Sequence, residues 1–131
     1  MDNDQTPLGV VIASANAHES QHIERLVEAI VVESPRTPTP LVYDKAADSD
    51  PLRSRLFARG YRLIAPLREN RTDGRRLHYR DEKRLHARWK IERTNAWLHS
   101  YGRIAIRKDR RADIFLGWLQ LACLFTILKR F

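Results

Sequence analysis

Two short β-prone runs, LVY (41–43) and YRLIA (61–65), flank the segment DSDPLRSRLFARG. Within that segment Asp50 is placed to cap a helix, Pro51 suits its first position, and Gly60 suits its close. A strand, a helix and a second strand in so short a span leave few topologies. The helix serves as a crossover, so the strands are expected to be parallel. PLGVVIASAN (7–16), rich in Val and Ile, reads as a further buried strand. HESQHIERLVEAIVV (18–32) has Ile23, Leu26, Val27 and Ile30 at helical spacing. Longer helices are expected over 82–100, capped by Asp81, and over about 112–130. The fold class is therefore α/β: a short mixed sheet flanked by helices, with long helices towards the carboxyl terminus.

SPRTPTP (34–40) holds three prolines and reads as a loop, and 66–81 reads as a polar loop carrying Arg68, Arg71, Arg75, Arg76 and Arg80. With 131 residues and 43% hydrophobic side chains, the chain is expected to form one domain with a real core. No internal repeat is visible.

Charge is unevenly spread. Residues 1–34 carry one cation, Arg25, against six carboxylates, a net of −5; the formal total of +8 leaves +13 on 35–131. Such a balance suits a polyanionic partner, nucleic acid before a membrane surface, although a basic face also serves simply to be solvated. Cys123 is the lone cysteine, so no intrachain disulfide forms, which suits a reducing, cytoplasmic setting. No basic region followed by an apolar core marks a signal peptide at the amino terminus. The longest apolar stretch, IFLGWLQLACLFTIL (114–128), contains Gln120 and falls short of the ~20 residues a membrane span needs, so a buried helix and no membrane partner are expected.

RWKIERTNAWL (88–98) is crowded with cations yet keeps one carboxylate, Glu92. At ~100° per residue, Leu85, Trp89, Glu92 and Ala96 share one side of a continuous helix. Glu92 then reads either as a partner of Arg88, Lys90 or Arg93, or as a functional carboxylate at the margin of the core, where a charge must be paired or ligate a metal. Asp44 stands just past the end of the LVY strand, where open α/β sheets place their sites, and precedes any plausible cap. Asp48 and Asp50 read as capping or solvated turn residues. A strand-end Asp and a helical Glu suit a divalent cation such as Mg²⁺, which takes oxygen ligands together with substrate phosphates. Two such ions ~4 Å apart stabilise both the attacking and the leaving oxygen of phosphoryl transfer, and a shared metal places the two carboxylates roughly 4–8 Å apart.

YDKAADSDPLRSRLFARGYRLIAPLRENR, followed by RWKIERTNAWLHSYGRIAIRKDRRADIFLGWLQLACLFTIL, resembles bacterial insertion-sequence transposases of the DDE class, whose catalytic core is ribonuclease-H-like. PLGVVIASANAHES resembles the strand and helix start that precede these blocks, so the likeness runs from about residue 7 to 131. It implies a metal-binding Asp, Asp, Glu triad, with Mg²⁺ or Mn²⁺ as cofactor and cutting and joining of DNA ends as the activity. Asp44 matches the second Asp, Glu92 the Glu, and Arg88 the basic residue four places before it. The family's first Asp lies on a strand upstream of the PLGVV-type strand, and nothing here matches it; Asp2 and Asp4 fall in what reads as a turn between strands. Leu85 stands where many relatives carry Tyr, and His99 where they carry Lys.

The resemblance therefore implies an incomplete ribonuclease-H-like fold: one partial catalytic domain over 1–131, carboxy-terminal in the intact enzyme and inactive alone. Its implied partners are DNA (transposon ends and target) and full-length transposase. The intact protein is expected to be a homo-oligomer in the bacterial cytoplasm, associated with the nucleoid. Arg68, Arg71, Arg75, Arg76, His99, Arg107, Arg110 and Arg111 are the candidate DNA contacts, neutralising phosphates without reading sequence. A non-catalytic DNA- or transposase-binding module that regulates the full enzyme is the alternative, and a decayed reading frame a third. HESQH (18–22) spells the H-E-x-x-H of zinc hydrolases but opens a short helix with no third ligand apparent. Trp89 and Trp97 can stack on bases, but their spacing beside Leu85 and Leu98 favours core packing.

Overall fold

The computed structural model describes residues 1–14, 16, 19–32, 37–72 and 74–129. They form two compact units: 1–17, 22–32 and 89–131 make the first, and 18–21 with 33–88 the second.

The second unit is built on the expected crossover. β1 (Thr39–Val42) and β2 (Tyr61–Ile64) pair in parallel, Thr39 opposite Tyr61 and Val42 opposite Ile64, with α2 (Asp50–Ala58) between them in sequence. Leu52 and Leu56, one turn apart, face inward and are almost fully buried, as are Leu63, Ile64 and Ala65 on and just after β2. Each fully buried Leu or Ile contributes roughly 1.5–3 kcal/mol, which is what holds so short a sheet against one helix. α2 begins one residue earlier than expected: Ser49 is its N-cap and Asp50 lies inside the first turn, where a carboxylate favours the helix dipole. Gly60 closes the helix at φ +81°, a left-handed conformation that a side chain disfavours.

The sheet departs from the mixed form expected. Among the described residues it has two strands, both parallel. Residues 7–14 of the anticipated PLGVV strand are half-buried at 7–12 but belong to no ladder. The 18–32 helix reduces to a 3₁₀ turn, Glu19–His22, and α1 (Ile23–Glu28). The helix expected over 82–100 is two: α3 (Tyr79–His86) in the second unit and α4 (Trp89–His99) in the first, with a turn at 87–88. His78, not Asp81, caps α3, its Nδ1 accepting from the Arg80 N–H at 3.2 Å. Of the proline-rich loop, 34–36 lie outside the described residues.

The first unit contains α1, α4, α5 (Gly102–Ala105) and α6 (Ala112–Leu128). Its core joins Leu98 of α4 to Ala122 and Cys123 of α6, with Val10, Tyr101, Ile104 and Leu119 packed around them. Burial pushes the Cys123 thiol pKa up. Thr94 and Thr126, both buried, satisfy their hydroxyls on the carbonyls of Lys90 (3.0 Å) and Ala122 (2.8 Å). α6 is not the fully buried helix expected. Ala122, Cys123 and Thr126 face inward, whereas Ile114, Trp118, Leu121, Leu124, Phe125 and Leu128 are 37–55% exposed. No helix among the described residues is long and apolar enough to cross a membrane.

Candidate functional site

Asp44 lies two residues beyond β1, whose pairing continues through the Tyr43 N–H to the Ile64 carbonyl at 2.9 Å. This is the strand-end position anticipated, with one difference. Asp44 is itself a cap: its Oδ1 accepts the Ala46 N–H at 2.9 Å and starts the 3₁₀ turn Lys45–Ala47. Oδ2 has no partner among the described residues.

A network of salt links holds this turn in place. Asp48, its side chain fully removed from solvent, accepts from Arg53 Nη2 (2.9 Å), Arg71 Nη1 (2.7 Å) and the Arg68 backbone N–H (2.8 Å). Burial works to raise the Asp48 pKa, but these donors outweigh it and hold the carboxyl below the usual range. Asp50 takes Arg71 at 2.6 Å and Arg75 at 2.8 Å; Lys45 reaches Glu69 at 2.6 Å, and Arg68 Nη2 reaches the Ala46 carbonyl at 3.2 Å. The loop after β2 is thereby fastened to the turn that carries Asp44. Asp48 closes the 3₁₀ turn Lys45–Ala47 as its C-cap, but it is not the solvated turn residue expected: it is the buried centre of this network. The hints in sequence are Arg53, five places on, and the arginine-rich loop that follows.

Glu92, on α4, is exposed, and its carboxylate has no hydrogen bond or ion pair among the described residues. The apolar stripe expected around it is not a buried one: Trp89 is 51% exposed and Ala96 is exposed. The turn at 87–88 separates Leu85 from the helix that bears Glu92, and Thr94 and Leu98 take the inward side of α4 instead. Trp89 and Trp97 are likewise not core residues. Arg93 lies between them, its guanidinium 4.7 Å from one ring centroid and 5.2 Å from the other, while its Nε donates to Gln5 Oε1 at 2.7 Å. Arg88 lies in the turn ahead of α4, half-buried, its guanidinium without a partner among the described residues.

The anticipated DNA contacts divide by what they already hold. Arg71 and Arg75 are engaged by Asp48 and Asp50. Arg107 donates to the Asp109 carbonyl and covers the Phe115 ring; Arg111 pairs with Asp113 at 2.5 Å. Arg76, His99 and Arg110 are exposed, with no side-chain partner among the described residues. Asp2 is a turn residue, as anticipated. Its Oδ1 accepts from the Asp4 (2.9 Å) and Thr6 (2.8 Å) N–H groups, and Gln5 in that turn has φ +66°. Of the HESQH motif, His18 lies outside the described residues, and both ring nitrogens of His22 are buried with no hydrogen bond among the described residues.

As a metal site, the donor chemistry fits in part. Asp44 Oδ2 and the Glu92 carboxylate are unclaimed oxygen donors of the kind Mg²⁺ takes. Among the described residues no cluster of three or more His, Cys, Asp or Glu is placed to hold a metal. Asp44 belongs to the second unit and Glu92 to the first.

Comparison with known proteins supplies the family. The model of the transposase DDE domain matches residues 1–127. Over 133 aligned positions, 93% of this chain, the sequence is 33% identical to a Burkholderia cepacia protein described as a transposase for insertion sequence element IS402. The chain spans 57% of the length of that relative. No solved structure matches. The sequence thus belongs to the transposase DDE-domain family.

Proposed function

We propose that residues 1–131 form part of the catalytic domain of a DNA transposase. Asp44 and Glu92 act there as two of its three metal-binding carboxylates, in a ribonuclease-H-like arrangement. The observation that carries this reading is a pair of unspent carboxylates inside a basic chain. Asp44 is held at the end of β1 by a network that leaves Oδ2 free, and Glu92 is left without the ion pair that its cationic neighbours would otherwise provide. A free carboxylate in such surroundings is suited to a divalent cation, and the family to which the chain belongs supports the same chemistry.

When bound, Mg²⁺ or Mn²⁺ would supply activation of water, then of a 3′-hydroxyl, against DNA phosphodiesters. The chain's own residues would fix where this happens. Asp44 is positioned by its turn, Glu92 is presented from α4, and Arg88, four residues earlier, would orient Glu92 or take a phosphate oxygen. Arg68, Arg76, His99 and Arg110 would hold the DNA backbone, with Arg107 and Arg111 nearby.

In this reading Asp44 and Glu92 are two of the three ligands, and Asp2, whose Oδ1 accepts the Asp4 and Thr6 N–H groups in a turn, is not taken as the third. Phosphoryl transfer depends on position and electrostatic balance, so two carboxylates do not suffice. Purified residues 1–131 should therefore show no Mg²⁺- or Mn²⁺-dependent nicking of supercoiled DNA. A longer transposase that contains these residues together with a third carboxylate ligand should cleave, and Glu92→Gln in it should abolish cleavage. Nicking by 1–131 that requires Glu92 would overturn the missing-ligand part; cleavage by the longer protein that survives Glu92→Gln would overturn the site. A non-catalytic regulatory module would leave both proteins inactive.

A further inference from the structure

The cations of the second unit differ in what they have left to offer. Arg62 forks onto Asp81 at 2.7 and 2.9 Å, and Arg84 reaches Asp81 at 2.9 Å. Arg71 and Arg75 are neutralised by Asp48 and Asp50. Arg76, Arg80 and Lys83 are exposed, and their charged groups have no partner among the described residues.

Their placement follows from how α3 is anchored. Asp81, 7% exposed, is turned inward to Arg62 and Arg84. Its carboxyl is held below the usual range, chiefly by the Arg62 hydrogen bonds. With that side fixed, Tyr79, Lys83 and His86, spaced by four and three, share the opposite side of the helix, and Arg80 flanks them. Glu82 is the one carboxylate beside them. Tyr79 is 74% exposed, so its ring stands in water among unpaired cations.

We infer that the outer side of α3, formed by Tyr79, Arg80 and Lys83, with Arg76 in the segment just ahead of the helix, docks an unpaired DNA strand. The three cations take successive phosphates and Tyr79 stacks on one base. Cations beside an aromatic ring are the means by which proteins hold single strands, because every unstacked base offers a π-face. In a duplex those faces are covered, so the exposed Tyr79 ring meets a base to stack on only where the strand is unpaired. The inference rests on the reading of the chain as part of a DNA-joining enzyme, but it uses neither Asp44, Glu92 nor a metal.

The test is fluorescence anisotropy of residues 1–131 with a labelled 20-nucleotide oligo-dT and a 20-base-pair duplex, in EDTA, between 25 and 200 mM salt. Tyr79→Ala should weaken strand binding about tenfold and leave duplex binding unchanged, while Tyr79→Phe should retain strand binding. The triple variant Arg76→Gln, Arg80→Gln, Lys83→Gln should lower the slope of log affinity against log salt by about 2, at ~0.7 per phosphate on a single strand. EDTA keeps any divalent cation from the carboxylates, which separates this surface from the catalytic site. Circular dichroism matching the parent confirms that each variant is folded; all four positions are exposed, so an unfolded variant would itself contradict their assignment to the surface. Equal losses for strand and duplex on Tyr79→Ala, no loss at all, or a salt slope unchanged in the triple variant would overturn the inference.

Discussion

Removing the Asp48 carboxylate tests the network that fixes the Asp44 turn. The side chain has no solvent exposure and receives three donors, two of them guanidiniums whose side chains are only 18% (Arg53) and 15% (Arg71) exposed. Taking one partner from a buried ion pair costs about 3–5 kcal/mol, because the charges left behind are neither solvated nor matched. Each arginine keeps a second acceptor, the Leu63 carbonyl for Arg53 at 2.7 Å and Asp50 for Arg71 at 2.6 Å. The cost of Asp48→Ala therefore belongs at the low end, about 3 kcal/mol. Asp48→Asn keeps one acceptor oxygen but loses the charge, and should cost about 1.5–3 kcal/mol, the worth of a hydrogen bond to a charged group.

Urea unfolding followed by circular dichroism measures both. The pH dependence has a definite sign. The folded Asp48 pKa lies below its unfolded value of ~3.9, so the stabilisation is complete above that value and is lost as pH falls through the lower folded pKa. The gap between parent and Asp48→Asn should hold from pH 7 to 5 and narrow below about 4. A cost under ~1 kcal/mol for Asp48→Ala, or a gap that widens in acid, would refute the network as the anchor of the turn.

Gly60→Ala should destabilise by about 1–2 kcal/mol in the same assay. The nearest atom to a new Cβ is Thr37 Cγ2 at 3.5 Å, so the cost lies in φ +81° and not in a clash; a neutral result would mean that the turn relaxes freely. Cys123 is 8% exposed with its thiol pKa raised, so a thiol reagent at pH 8 should label it far more slowly in the native protein than in denaturant, and equal rates would contradict its burial against Leu98 and Ala122.

The crossover of the second unit is legible in the residues because its signals are local. Pro51 and Gly60 bound the helix, and Leu52 and Leu56 mark the side that meets Leu63 and Ile64. Asp44 follows from the same reading, since a strand end is fixed by the run that precedes it. The environment of Glu92 does not. Helical periodicity carries a stripe straight through Ala87 and Arg88, whereas the chain turns there and Thr94 and Leu98 decide which side of α4 faces inward. The arginines escape sequence reading for another reason. Whether a cation is free for phosphate depends on carboxylates far away in the chain, as when Arg71 meets Asp48 and Arg62 meets Asp81. Composition alone cannot tell Arg75, which is engaged, from Arg76, which has no side-chain partner among the described residues. The exposed side of α6 and the unpaired run at 7–14 belong to the same class, because burial there is settled by partners and not by local pattern.

The account rests most directly on Asp44 and Glu92 sharing one metal. Mn²⁺ titration of isotope-labelled residues 1–131, followed by paramagnetic broadening of backbone amides, measures this without any need for catalysis. A shared site, with carboxylates roughly 4–8 Å apart, predicts that the amides around Asp44 and Glu92 broaden together at the same Mn²⁺ concentration, and that Glu92→Gln weakens the broadening at Asp44 as much as at its own position. Broadening at one carboxylate that is indifferent to substitution of the other, or Mn²⁺ that leaves both untouched at millimolar concentration, would contradict it.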